Sequence, residues 1–181
     1  MRKLTVLATF GLIALVSAGV LLFSPGTMGT AYAGGFSPCA DQVGGTIDSN
    51  IILAVGSGTC HLTNVTVNGN IKIEHAGTRL HLHSSIVNGN IWSSGGGLNI
   101  TNDGTVHAGG ADTASTVNGH VNIRNCATTI QIADSTTGNV KLMKNGVVLV
   151  TDNTINGNLI LLKNTNTTET GNTVSGVKVI K

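Results

Sequence analysis

TVNGNIKI, Thr66–Ile73, returns along the chain as IVNGNIWS (86–93), TVNGHVNI (116–123), TINGNLIL (154–161) and TVSGVKVI (173–180). The glycines of this cadence are Gly69, Gly89, Gly119, Gly138, Gly157 and Gly176, at spacings of 20, 30, 19, 19 and 19 residues. A near-constant period of about twenty is the mark of a solenoid, in which each repeat is one coil. Ser49-Asn50-Ile51 stands 20 residues before Gly69-Asn70-Ile71, so a coil begins there without its glycine.

Within each period the apolar residues alternate rather than recur at helical spacing. One set follows the glycine: Ile71/Ile73, Val121/Ile123, Val140/Leu142 and Leu159/Leu161. A second is Leu80/Leu82, Leu98/Ile100, Ile130/Ile132 and Val148/Val150. A third, single position precedes the next glycine: Val67, Val87, Val117, Ile155 and Val174. Three short strands per coil predict an all-β, single-domain parallel β-helix (solenoid). Residues 45–181 hold about six to seven coils of roughly 19–20 residues, with residues 34–44 as an N-terminal lead-in. One coil cannot bury its own apolar row, so coils must stack at the strand spacing of about 4.8 Å. The Asn-Gly-Asn motif reads as a corner, with glycine supplying unusual backbone angles. Asn70, Asn90, Asn139 and Asn158 are expected to stack into an amide ladder, with His120 as a departure.

The V-x-G-N-[IVL] cadence resembles that of small secreted bacterial repeat proteins with right-handed parallel β-helix folds, over roughly residues 45–181. The resemblance implies a fold rather than an activity. A similar cadence occurs in bactofilins, which polymerise end to end inside cells, but the leader of this chain departs from that family.

That leader comprises Arg2 and Lys3, an apolar run from Leu4 to Phe23, and Ala31-Tyr32-Ala33 as an A-x-A cleavage site. Residues 1–33 read as a signal peptide, with an uncleaved anchor as the alternative. Export predicts a secreted or cell-surface protein. Without Arg2 and Lys3 the ten basic residues fall to eight, which equals the eight acids. A neutral chain with no basic cluster is a poor nucleic-acid ligand. Between Asn102 and Ser115 an insertion of about ten residues accounts for the 30-residue step.

Export also permits a disulfide. Cys39 and Cys60 lie 21 residues apart, about one coil, and are expected to pair and close the N-terminal end, leaving Cys126 buried. Enzymes on this fold need clustered carboxylates. The acids here do not cluster in sequence; Asp134 and Asp152 stack by coil position, but at turns, so no catalytic residue is assigned. His81 and His83 flank inward Leu82 and point outward together, with His61 one coil below: a candidate metal set. No cofactor is otherwise implied.

Trp92 is expected outward in a column with Lys72, Asn122, Lys141 and Ile160, where it would stack on a sugar or a partner, or be covered by Gly95-Gly96-Gly97 or the insertion. Thr66, Thr116, Ser135, Thr154 and Thr173 form a further outward row, with Asn68, Asn88, Asn118, Thr137, Asn156 and Ser175 two places on. Such T-x-N rows suit an ice-binding face, although strands and corners favour the same residues. At the final coil, Gly176–Lys181, Lys178 and Lys181 are expected to discourage stacking by charge, with self-association through this coil as the alternative. The functional expectation is a non-catalytic structural, adhesive or cell-surface module. Its competitors are a carbohydrate-binding or carbohydrate-active protein and an ice- or metal-binding solenoid.

Overall fold

The computed structural model describes residues 36–100, 106–107, 110–111 and 114–181. The proposed leader and most of the insertion lie outside the described residues. The chain winds through three parallel sheets, visiting each once per coil for about seven turns. Sheet 1 has eight strands, from Phe36–Pro38 to Lys178–Ile180. Sheet 2 has seven, from Gln42–Val43 to Asn166–Thr170, and sheet 3 has seven two-residue strands, from Thr46–Ile47 to Thr173–Val174. Strands therefore begin inside the lead-in, where Phe36–Pro38 pairs with the strand Asn50–Leu53. At the insertion Val106–His107 pairs antiparallel with Gly110–Ala111, a small hairpin apart from the three sheets.

The alternation predicted from sequence is the stacking register. Ile71, Ile91, Val121, Val140 and Leu159 form one inward row in sheet 1, all 0% exposed. Leu80, Leu98, Ile130 and Val148 form another in sheet 2. Because β-branched and leucine side chains repeat at the same point of each coil, every layer packs on a copy of itself. The core is one continuous aliphatic column.

The corner glycines work differently from the sequence expectation. None of Gly69, Gly89, Gly119, Gly138, Gly157 and Gly176 has a positive φ. What they lack room for is a side chain. A Cβ at Gly119 would stand 2.4 Å from the carbonyl oxygen of Gly89, and one at Gly89 would meet that of Gly69 at the same distance. The corners stack backbone on backbone, and hydrogen is the only substituent that fits.

The expected ladder runs along the corner between sheets 3 and 1. Asn50 Oδ1 accepts from the Asn70 backbone N–H at 2.8 Å, and Asn70 Oδ1 accepts from that of Asn90 at 2.9 Å. His120 fills its place by donating its backbone N–H to Asn90 and meeting the Asn139 amide through Nδ1 at 2.8 Å. The other two corners use a second device. A residue at positive φ (Asn64, Ser84, Asp134 and Asp152 before sheet 3; Asn125, Lys144 and Lys163 before sheet 2) turns the chain. After Ser84, Lys144, Asp152 and Lys163 the next residue points a polar group inward to hold a backbone N–H. Thus Ser85 Oγ accepts from Val65, Asn145 Oδ1 from Cys126, and Asn153 Oδ1 from Ser135. Corner amides buried away from water are thereby satisfied.

One coil is a residue short. Val117 and His120 are joined through two residues, Thr137 and Asn139 through one, although Thr116 and Thr136 are in register. The shift moves Thr137 onto the inward row between Val117 and Ile155, fully buried, where its Oγ1 has no hydrogen-bond partner. Thr137→Val should therefore stabilise the fold by about 1 kcal/mol, since it removes an unsatisfied hydroxyl at constant shape. Thermal unfolding checks this; an unchanged or lower midpoint would contradict the inward placement.

Candidate functional site

The three histidines singled out from sequence come together on the outward face of sheet 2. His61, in the strand Thr59–Thr63, is the register partner of His81, in the strand Arg79–His83. Stacking on adjacent strands places the two rings 4.7 Å apart, and His83, two residues on from His81, has its ring 6.2 Å from that of His81. One ring nitrogen from each of the three lies within 4.8 Å of the others. The cluster grades from surface to interior, with His61 exposed, His81 half-buried and His83 buried.

Two neighbours complete the surroundings. Asp41 of the lead-in sits one layer below, its Oδ1 accepting the His61 backbone N–H at 2.8 Å. One layer above, Asn99 pairs in register with His81, and its Oδ1 is buried with no hydrogen-bond partner. A hollow of about 250 Å³ lies alongside, lined by Arg79, His81, Asn99 and Gln131 among others. Burial, then the positive fields of His61, His83 and Arg79, lower the His81 pKa to about 4, against a smaller opposing pull from Asp41. His81 is a neutral imidazole at physiological pH, with a ring nitrogen lone pair to offer.

The carboxylates disperse. Glu74 pairs with Lys72 at 2.6 Å, Asp48 accepts the Asn68 side-chain amide at 2.6 Å, and Asp134 and Asp152 hold positive-φ turns. Asp103 and Asp112 lie outside the described residues. Glu169 is the exception to the surface pattern. It occupies the inward row of sheet 2 above Val150, and Lys178 occupies that of sheet 1 above Leu159. The two side chains meet at 2.5 Å across the end of the core, and Asn172 also donates to Glu169 at 2.8 Å. Burial pushes the Glu169 pKa up, but the Lys178 and Asn172 hydrogen bonds and the Lys178 charge outweigh it, so the carboxyl titrates below its ordinary range.

Cys39 and Cys60 form the expected disulfide, with Cα atoms 6.1 Å apart, and Cys126 is a buried free thiol. The bridge stands beside a hollow of about 410 Å³ at the first layer, lined by Cys39, Ile47 and Ile51 among others. Trp92 stands in the expected outward column, in register with Lys72 and Asn122. Its aromatic neighbour is not the glycine turn but Phe36, edge-on with ring centroids 6.2 Å apart. The glycine turn instead folds inward, where the Gly95 and Gly96 N–H groups donate to Ser93 Oγ at 3.1 and 2.7 Å.

The outward row of sheet 3 is Thr46, Thr66, Ile86, Thr116, Thr136, Thr154 and Thr173. Ser135, assigned to it from sequence, is buried at 3% exposure, and Thr137 faces inward; the shortened corner caused both misplacements. Beside this row the Asn118 side-chain amide donates to Asn88 Oδ1 at 2.7 Å and that of Asn88 to Asn68 Oδ1 at 2.8 Å. No protein-family profile, characterised protein or solved structure matches this chain.

Proposed function

We propose that this chain is a secreted, non-catalytic β-solenoid that acts as a structural, adhesive or cell-surface interaction module, of the kind its cadence resembles among small secreted bacterial β-helix proteins. The observation that carries the reading is the set of outward rows running through the layers, most clearly the sheet 3 row, threonine at every layer but that of Ile86. A flat face of this type presents one chemical group at intervals of about 4.8 Å, which suits an extended polymer or surface rather than a small substrate. The carboxylates described above are engaged in turns and local bonds, which also favours binding over hydrolysis. The disulfide suits an oxidising compartment. Incubating the protein with a panel of cell-wall and matrix polysaccharides tests the reading. Saturable retention on a polymer without new reducing ends or unsaturated products is expected, and product release would overturn it.

A second reading, ice binding, is favoured by the same row, because six of its seven positions are threonine. Thermal hysteresis in solution, abolished by Thr116→Tyr, is its expected signature; freezing indistinguishable from buffer would exclude it.

Self-association through the last coil is opposed by Glu169 and Lys178, which set charge where a second copy would need an apolar layer. We propose that this ion pair caps the column. The double variant Glu169→Val with Lys178→Leu extends the apolar rows by one layer and should shift sedimentation from monomer toward dimer; a monomer at every concentration would contradict the capping role. The pair's contribution to stability is full above the ordinary glutamate value near 4.5 and falls as pH drops through the lower folded-state value. Acid should therefore loosen the last coil first.

A further inference from the structure

We propose that His61, His81 and His83 bind a divalent transition-metal ion of the zinc or copper class, with the Asp41 carboxylate beside them as counter-charge. The site goes beyond the interaction-module reading and does not depend on it. Three features of the geometry point to it. First, the ligands come from rigid ground. His61 and His81 are cross-strand partners in a parallel sheet, and His83 shares the strand of His81. Their spacing is set by the ladder rather than by loop conformation. Second, the distances suit a metal. Ring nitrogens within 4.8 Å of one another need to close to about 3.3 Å to sit around an ion at the usual imidazole–metal distance of about 2.0–2.1 Å. Rotation of the rings about their side-chain bonds supplies that closure without moving a strand. Imidazole sets select zinc, copper or nickel over calcium and magnesium, which take oxygen ligands.

Third, the surroundings contain what a bound ion would use. Asp41 is held one layer below by the His61 N–H, so a carboxylate is fixed next to the imidazoles. Asp41 bonds the His61 backbone rather than a ring nitrogen, so its part is to offset the ion's charge. Asn99, in register above His81, carries a buried acceptor oxygen with no hydrogen-bond partner. A water on the ion's open position would donate to it. The hollow between Arg79, His81 and Asn99 has room for such waters. Arg79 opposes the site with its own positive charge, which the Asp41 carboxylate offsets in part. A surface histidine pair alone would need none of this. A third, buried imidazole beside the pair, with a carboxylate one layer below His61 and an orphaned acceptor one layer above His81, is what distinguishes the cluster from a solvated strand face.

Titration of the disulfide-intact full chain with Zn²⁺ by calorimetry, and with Cu²⁺ by electron paramagnetic resonance, tests the proposal. One ion per chain is expected, with nitrogen hyperfine structure from imidazole in the copper spectrum. His61→Gln and His81→Gln lie on the outward face, so their folds are checked by circular dichroism and should be retained. Each should weaken binding by about 100-fold, and Asp41→Asn by about 10-fold. His75→Gln, outside the cluster, should leave binding unchanged. Absence of saturable binding of either ion, or binding that survives the His61→Gln/His81→Gln double variant at parental affinity, would overturn the site.

Discussion

Val121→Asp is expected to abolish the cooperative folded state. Val121 is 0% exposed and lies on the inward row between Ile91 and Val140, with apolar side chains above, below and across. The carboxylate would have no partner and no path to water. A buried unpaired charge costs more than about 4 kcal/mol, a large part of the total stability of a small domain. The solenoid amplifies the damage, because each layer is stabilised by its neighbours and a broken middle layer exposes two apolar ends. Loss of the sigmoidal thermal melt is the expected readout. Lys72→Ala provides the contrast. It removes only an exposed pair with Glu74, worth about 0–1 kcal/mol, so its melt should overlay that of the parent.

The second large effect is expected at a position that looks innocuous. Gly119→Ala adds one methyl group, yet that carbon would stand 2.4 Å from the Gly89 carbonyl oxygen and 2.7 Å from Asn90 Oδ1. Neither neighbour can give way, since Asn90 Oδ1 holds the His120 N–H and the Gly89 carbonyl belongs to the stacked backbone. The coils must separate at that corner, at a cost of about 3 kcal/mol or more. Ala at Gly77 has nothing within 4 Å of its Cβ, but Gly77 has φ +94°, so strain there comes from the backbone alone. The two variants separate the mechanisms. Gly119→Ala should disrupt the amide ladder and lower protection of corner N–H groups on both sides, whereas Gly77→Ala should act locally. Hydrogen exchange distinguishes them.

The fold was largely legible because alternation and period are one-dimensional signals. The apolar pairs such as Ile71/Ile73 and Leu80/Leu82 predicted the inward rows of sheets 1 and 2, and the Cys39–Cys60 spacing predicted the disulfide. What failed depended on contacts between coils. The steric reason for Gly119 cannot be seen without the coil beneath it. The polar ladder at the corner before sheet 3 changes residue type from Ser85 and Ser115 to Asn153 and Asn172, so no single repeated letter betrays it. In the last coil the cadence puts Lys178, two places after Gly176, on the inward row, and the register aligns it with Leu159 while Asn158 Oδ1 holds the Val177 N–H at the ladder position; its pairing with Glu169 across the core end takes the fold to see. At the candidate site the three histidines were readable from their spacing. Asp41 stands the same one-coil step of 20 residues before His61, but it lies in the lead-in, ahead of the first return of the cadence, where the sequence shows no coil to align it with.

The account rests on one claim: each return of the glycine cadence adds one layer to a parallel stack. Distances between spin labels along a single outward row test it most directly. With Cys126 replaced by serine, labels at Thr46→Cys and Thr173→Cys occupy the two edge strands of the seven-stranded sheet 3, six inter-strand steps apart. Double electron–electron resonance should give backbone separations near 29 Å for that pair and near 24 Å for Thr66→Cys with Thr173→Cys, a difference of one strand spacing of about 4.8 Å. Narrow distributions differing by that step are the predicted result. Broad distributions, or equal distances for the two pairs, would contradict the stack.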